Sequence, residues 1–383
     1  MKIVQKHWTQ QAGWQSISAN GVSHEFQLAL VFGDLNCLKR PRCVEEIREL
    51  FPKARIVGCS TAGEILGDRV FDNSLTVTGV FFAATPLRFA QTTVDCMEDS
   101  FKVGVRLADA LLGDALAHVF VLSDGLSVNG SALAKGLQSR LPANVSVTGG
   151  LAADQDRFEE TTVFLDSLSD HKTVVAIGFY GEAMQIRYGS RGGWDSFGPD
   201  RVVTRSKANV VYELDGQSVL QLYRKYLGDQ ADGLPATGLL FPLSISLADG
   251  NERLVRTILA VNEADGSMTF AGDVPEGSRA RLMKANVERL VDGAAESARQ
   301  SQPQGEPAPS LAMLISCVGR KLVLRQRVDE EVECVRNALG GDTAMTGFYS
   351  YGEICPVRPD CKQAELHNQT MTITTFSEQL CQS

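Results

Sequence analysis

The sequence predicts an α/β fold of two lobes, with mixed, largely buried sheets flanked by helices and two related half-structures packed together. Three observations predict it. Apolar runs such as Gln27-Leu28-Ala29-Leu30-Val31-Phe32 are continuous, as in strands buried on both faces. Amphipathic helical patterns alternate with those runs, which implies right-handed parallel crossovers. A strand–helix–strand unit near the middle of the chain has an echo near its end.

The elements follow in order. After the first strand the spacing predicts a helix over 41–51 and a strand over 54–57. Residues 74–82 and 87–94 read as strands flanking Ala84-Thr85-Pro86, the signature of a hairpin. Next come a strand over 117–122, a helix over 129–140 and a returning strand over 145–147. Residues 161–165, 173–179, 184–188 and 202–204 add strands, so the sheet is mixed. A helix over 218–227, capped by Ser218, joins the halves. Strands are expected near 241–247, 253–262 and 267–270, then a long helix from about Arg279 to Gln300 capped by Ser278. Ser301–Ser310 carries three prolines and no apolar pattern, which marks a loop. The echo closes the chain, with a strand over 311–317, a helix over 328–339 and a return over 343–351. It ends on Thr346-Gly347, as the earlier unit ends on Thr148-Gly149.

Composition bounds the function. The chain has 383 residues, 44% hydrophobic and 22% charged, enough to bury a core without disulfide or metal staples. Its net charge of −9 runs against nucleic-acid binding, which concentrates Lys and Arg against phosphates. The short basic clusters Lys39-Arg40-Pro41-Arg42 and Arg320-Lys321 read as solvated surface. Met1–Trp8 lacks a signal-peptide pattern, and no stretch approaches the roughly 18–20 apolar residues that span a bilayer. A cytoplasmic location is expected. The nine scattered Cys indicate reduced thiols.

The strand ends share a character. Gly33-Asp34, Gly58-Cys59-Ser60-Thr61-Ala62-Gly63-Glu64, Ser123-Asp124-Gly125, Thr148-Gly149-Gly150-Leu151-Ala152-Ala153-Asp154 and Tyr349-Ser350-Tyr351-Gly352-Glu353 combine glycines with hydroxyls and carboxylates. Ligands gather where parallel strands finish, so these segments describe a polar-rimmed cavity. Catalytic patterns are weaker. The chain has no phosphate-loop motif, nucleophile elbow or His-Glu-x-x-His. Cys59 and Ser123 are conceivable nucleophiles without a base tied to them, and Cys59 reads first as a small buried residue. His118 lies in an apolar strand and reads as core, whereas His7, His24 and His171 read as exposed. Cys355, Cys361, His367 and Cys381 are chemically suited to zinc, without the tight Cys-x2-Cys spacing of strong zinc sites.

Four motifs then carry a family likeness. Gly58–Ile65, Gly149–Asp154, Gly347–Ile354 and Leu366-His367-Asn368-Gln369-Thr370-Met371-Thr372 resemble the FIST family of paired N- and C-terminal sensory domains. The resemblance implies an N-terminal extension over 1–25, a FIST N-terminal domain over 26–217 and a FIST C-terminal domain over 218–383. It implies an intracellular small-molecule sensor and no enzyme, with Cys59, Ser60, Thr61, Glu64, Asp124, Gly149, Gly150, Asp154, Tyr351, Glu353 and Asn368 as ligand-binding residues. A stand-alone subset, similar in having no fused output domain, senses nitric oxide through haem and controls a histidine kinase or a cyclic-di-GMP enzyme. That implies haem b with His367 as axial ligand, held non-covalently. Zinc on the C-terminal thiols competes for the same histidine. An amino-acid or other metabolite sensor is the alternative, with Asp124, Asp154, Glu64 or Glu353 meeting an ammonium group.

Overall fold

Two parallel strands cannot be joined by a tight turn, so each such pair needs a crossover, here a helix. The computed structural model describes residues 1–17, 25–169, 172–246, 253–302 and 305–379, and three crossovers of this kind recur in it. The first unit is Leu28–Gly33, helix Cys43–Leu50 and Arg55–Ser60. The second is Leu116–Ser123, helix Gly130–Gln138 and Ser146–Leu151, and the third is Leu311–Cys317, helix Val328–Leu339 and Ala344–Ser350. In each, the two strands pair in parallel. An outer strand flanks each first strand antiparallel: Leu75–Phe81, Thr173–Tyr180 and Met371–Glu378. The echo expected between the second and third units is present, and the first unit shares it.

The units are interlocked. After each second strand the chain crosses into a neighbour's sheet. Glu64–Leu66 of the first unit pairs with Ala344–Ser350, Val163–Leu165 of the second with Arg55–Ser60, and Gly352–Pro356 of the third with Ser146–Leu151. Each unit donates one strand, and the donations close a ring of three six-stranded sheets. Strand Lys2–Thr9 extends the first sheet by pairing with Leu75–Phe81. Where the sheets face one another, Leu28, Leu30, Phe120, Phe179, Leu311, Met313 and Phe376 interdigitate. They leave an apolar void of about 10 Å³, too small for any ligand. The centre is packed.

The second lobe spans Asp195 to Lys284, a nine-stranded sheet around its own core of Val211, Leu222, Tyr223, Leu254 and Phe270. Its helix Val219–Leu227 is capped by Ser218, whose hydroxyl accepts from Gln221 N, as expected. That helix packs within this lobe and does not bridge the two. Arg256 of this lobe, 2% exposed, donates through Nη1 to Leu366 O of the three-sheet body at 2.8 Å. Among the described residues no helix is long and apolar enough to cross a membrane.

Four expectations are corrected. The strands around Ala84-Thr85-Pro86 form no hairpin: Leu75–Phe81 belongs to the first sheet and Leu87–Thr93 to the second. Glu378 takes Ala83 N, Ala84 N and Thr85 Oγ1 at 2.8, 3.0 and 2.7 Å, which anchors the turn to the third unit. The expected helix from Arg279 begins as strand Arg279–Lys284, and helix Val287–Ser301 is capped by Asn286, not Ser278. His7 is 6% exposed and lies 4.2 Å from the Phe71 ring. Arg320 is 0% exposed. It donates to Glu331 Oε1 at 3.1 Å, to Leu290 O at 2.7 Å and to Gly192 O, pinning the entry to the second lobe. His24 and His171 lie outside the described residues.

Candidate functional site

Strand Arg55–Ser60 ends in a loop that both other units grip. From the second unit, Ala153 N donates to Ser60 O at 3.0 Å and Gln155 N to Thr61 O at 3.3 Å. From the third, Ala62 N donates to Tyr349 O at 2.8 Å and Tyr349 N to Gly63 O at 2.9 Å. The loop is the joint of the ring. Asp154 beside it is 1% exposed. Its carboxylate accepts from Phe158, Glu159 and Glu160 N at 3.0, 3.0 and 2.9 Å and from the Tyr351 hydroxyl. The Tyr351 ring stacks on Phe158 with centroids 4.2 Å apart. Asp124 accepts from Ser127 N at 2.6 Å and from Thr161 Oγ1 at 2.6 Å. Ser60 Oγ accepts from Thr162 N at 3.0 Å.

The structure thus brings Ser60, Thr61, Glu64, Asp124, Asp154 and Tyr351 together around one joint. Cys59 lies beneath it with 0% exposure, and burial pushes its thiol well up, so it is a packing residue there. Gly149 and Gly150 lie in the strand behind. A Cβ on Gly149 would sit 1.9 Å from Val121 O, so close strand packing accounts for that glycine. Glu353, His367 and Asn368 form a neighbouring cluster in the third unit.

Two buried carboxyls are held alike. Glu64 accepts from Thr61 Oγ1, three residues earlier, and from Ser74 Oγ, both at 2.6 Å. Glu353 accepts from Ser350 Oγ, three residues earlier, at 2.7 Å and from Thr370 Oγ1 at 2.8 Å. Burial raises both to about 8, so both are largely protonated at neutral pH. A neutral acid gives an ammonium group no ion pair. Asp124 and Asp154 spend their oxygens on backbone N–H groups and hydroxyls, which makes them loop-forming anchors.

Charge reaches solvent on the rim beside the joint. Asp34, at the end of the first strand, accepts from Asn36 N at 2.8 Å and from Gln155 Nε2 at 3.1 Å. Arg157 Nη2 lies 3.7 Å from Asp34 Oδ2 and Arg157 Nε lies 3.8 Å from Asp154 Oδ2. At those distances Arg157 forms ion pairs without closing a hydrogen bond to either carboxylate. Lys321, from the third unit, donates to Ala62 O at 2.7 Å and to Asp72. Sequence reasoning missed Arg157 and Lys321. Its available signal was a cation three residues after Asp154, in a loop opened by a strand end.

His367 is 5% exposed, its Nε2 donates to Cys355 O at 2.9 Å, and Nδ1 faces Ser190 Oγ at 3.4 Å. Burial lowers its pKa to about 4. With both ring nitrogens engaged, this histidine does not fit a haem axial ligand as arranged. Cys355 is buried and Cys361 partly exposed, while Cys381 lies outside the described residues. Among the described residues no group of three or more His, Cys, Asp or Glu could hold a metal ion.

Comparison with known proteins agrees with the motifs. Residues 27–217 match the model of the FIST N domain, and residues 220–356 match that of the FIST C domain. No curated protein matches the chain. Among solved structures, the crystal structure of cyanuric acid hydrolase from A. caulinodans is similar over 93% of this chain and 91% of that one. The identity is 9% and the TM-score 0.35.

Proposed function

The chain belongs to the FIST family, whose domains are sensory and bind small ligands in signal transduction, and we propose that this member senses a small zwitterionic metabolite of the amino-acid type. Arg157 supports the reading. Its side chain is 33% exposed, sits between two buried carboxylates and closes no hydrogen bond to them, so its planar donors can grip a ligand carboxylate. The exposed Asp72, paired with Lys321 beside the same loop, is the carboxylate open to an ammonium group, whereas Asp34 is buried and bonded to Asn36 N and Gln155 Nε2. The rim is at the carboxyl ends of parallel strands, where such sheets take ligands. A separate signalling protein reads the bound state, and the family resemblance suggests a histidine kinase or a cyclic-di-GMP enzyme. A haem sensor finds less support, because His367 is committed to Cys355 and Ser190.

Titration calorimetry with the common amino acids tests this. At least one is expected to bind with Kd below 1 mM (roughly −4 kcal/mol). Arg157→Ala should weaken it tenfold or more, and Arg157→Lys less, because the planar fork is lost while the charge is kept. No binding by any of them overturns the reading. So does a stoichiometric Soret band on haem addition that disappears in His367→Ala.

A further inference from the structure

The turn entering the outer strand of the first unit recurs in the third with a different outcome. Asn73 and Gln369 both hold a left-handed backbone, with φ of 52° and 60°. Each immediately precedes the hydroxyl residue that bonds a buried acid: Ser74 to Glu64, Thr370 to Glu353. In the first unit the two turn residues are exposed and partnered, Asp72 by Lys321 and Asn73 by Gln155 at 3.5 Å. In the third, Asn368 and Gln369 are 0% exposed, and all four of their amide atoms lack a partner among the described residues. Buried polar groups without partners are costly, and apolar side chains would pack in their place without that penalty.

The amides sit over glycines. A Cβ on Gly319 would lie 2.4 Å from Gln369 Nε2 and 2.7 Å from Oε1, and one on Gly352 would lie 3.5 Å from Asn368 Nδ2. Gly319 follows strand Leu311–Cys317, and Gly352 follows Ala344–Ser350. The amides therefore occupy the carboxyl ends of the third unit's parallel pair. The neighbouring charges are already committed. Glu353 is bonded to Ser350 and Thr370, and Arg320 to Glu331, Leu290 O and Gly192 O.

We propose that these two buried amides form a second ligand site, separate from the Arg157 rim, for a compact uncharged molecule presenting a donor beside an acceptor: a primary carboxamide or a urea. Such a group pairs with a side-chain amide through two matched hydrogen bonds, whereas an ion would enter a buried site with no counter-charge to spare. Glycine at 319 and 352 lets the two amides pack close against the backbone there.

Saturation-transfer NMR on the full chain with acetamide and with acetate tests the proposal. Acetamide is expected to show transfer in the native chain and in Arg157→Ala, and acetate none in Arg157→Ala, where the rim no longer grips a carboxylate. Asn368→Leu combined with Gln369→Met should weaken acetamide binding at least tenfold with an unchanged or higher unfolding midpoint, since it deletes unpaired buried groups. Arg157→Ala should leave acetamide binding intact, which separates this site from the rim. Absence of transfer to the native chain means ordered water alone partners the amides and overturns the proposal. Undiminished transfer in the double variant, or a double variant that does not fold, does so too. Asn368→Leu alone is the second variant, expected to weaken binding threefold or more.

Discussion

Raising the pH from 6.5 to 8 should destabilise the protein, and the buried carboxyls set the amount. Glu64 and Glu353 titrate near 8 in the folded chain because burial disfavours their charged forms. In the unfolded chain they titrate near 4.5. Over the intervening range the folded state binds more protons, so the stability these acids contribute is present below pH 4.5 and is lost as pH rises towards 8. His118 and His367 act oppositely. Burial lowers them to about 3 and about 4, from an ordinary 6.5, so the folded state gains stability as pH rises towards 6.5. From pH 4.5 to 6.5 the two acids and two histidines nearly cancel. Above 6.5 the acids act alone, at about 1.4 kcal/mol per pH unit each, or about 4 kcal/mol by pH 8 as an upper limit. Urea unfolding midpoints at fixed ionic strength from pH 6 to 8 measure it. Glu64→Gln and Glu353→Gln should each remove about half the fall. A midpoint that is flat or rises between pH 6.5 and 8, or a fall unchanged in both variants, refutes the reasoning.

Two structural predictions accompany the ligand tests above. Arg320→Ala leaves Glu331 buried without its partner and should cost about 3–5 kcal/mol by denaturant unfolding, while Arg320→Met with Glu331→Leu should recover most of that. Gly149→Ala puts a Cβ 1.9 Å from the Val121 carbonyl, in rigid backbone, and should abolish soluble folded protein, as read by circular dichroism and gel filtration.

The strands buried on both faces are legible in the sequence, as in the apolar run Leu28–Phe32, but the arrangement of three units is not, because the pattern showed an echo between only two of them. The expectation failed where local pattern met a competing tertiary choice. Ala84-Thr85-Pro86 is a genuine turn, yet Glu378 captures it and sends the flanking strands to different sheets. Residues 279–284 alternate, with Ala280 and Leu282 buried, but six residues of period two are easily absorbed into the adjoining helical pattern. Arg320 and Lys321 are neighbours in sequence that diverge by one step around a helix. One points into the core and the other to the rim. That the strand-end loops meet was legible because glycines, hydroxyls and acids cluster there. Which of those acids are neutral and which are tied to backbone was not, since that depends on burial and partners supplied by other units.

The exchange of strands gives the joint its significance for sensing. Loop Ser60–Glu64 runs directly into the strand donated to the third sheet, and the Asp154–Thr162 segment runs into the strand donated to the first. A ligand on the rim would touch Arg157 from one segment and lie beside Lys321, which holds the other through Ala62 O. Lys321 is covalently next to Arg320, whose guanidinium fixes Gly192 and Leu290 on either side of the second lobe in sequence. On the proposed reading, occupancy of the rim would bear on two sheets and on the attachment of the second lobe through contiguous contacts. A site within one sheet would lack that reach. That reach favours the joint over the filled centre as the proposed sensing site, since the central void of about 10 Å³ is too small to admit a metabolite.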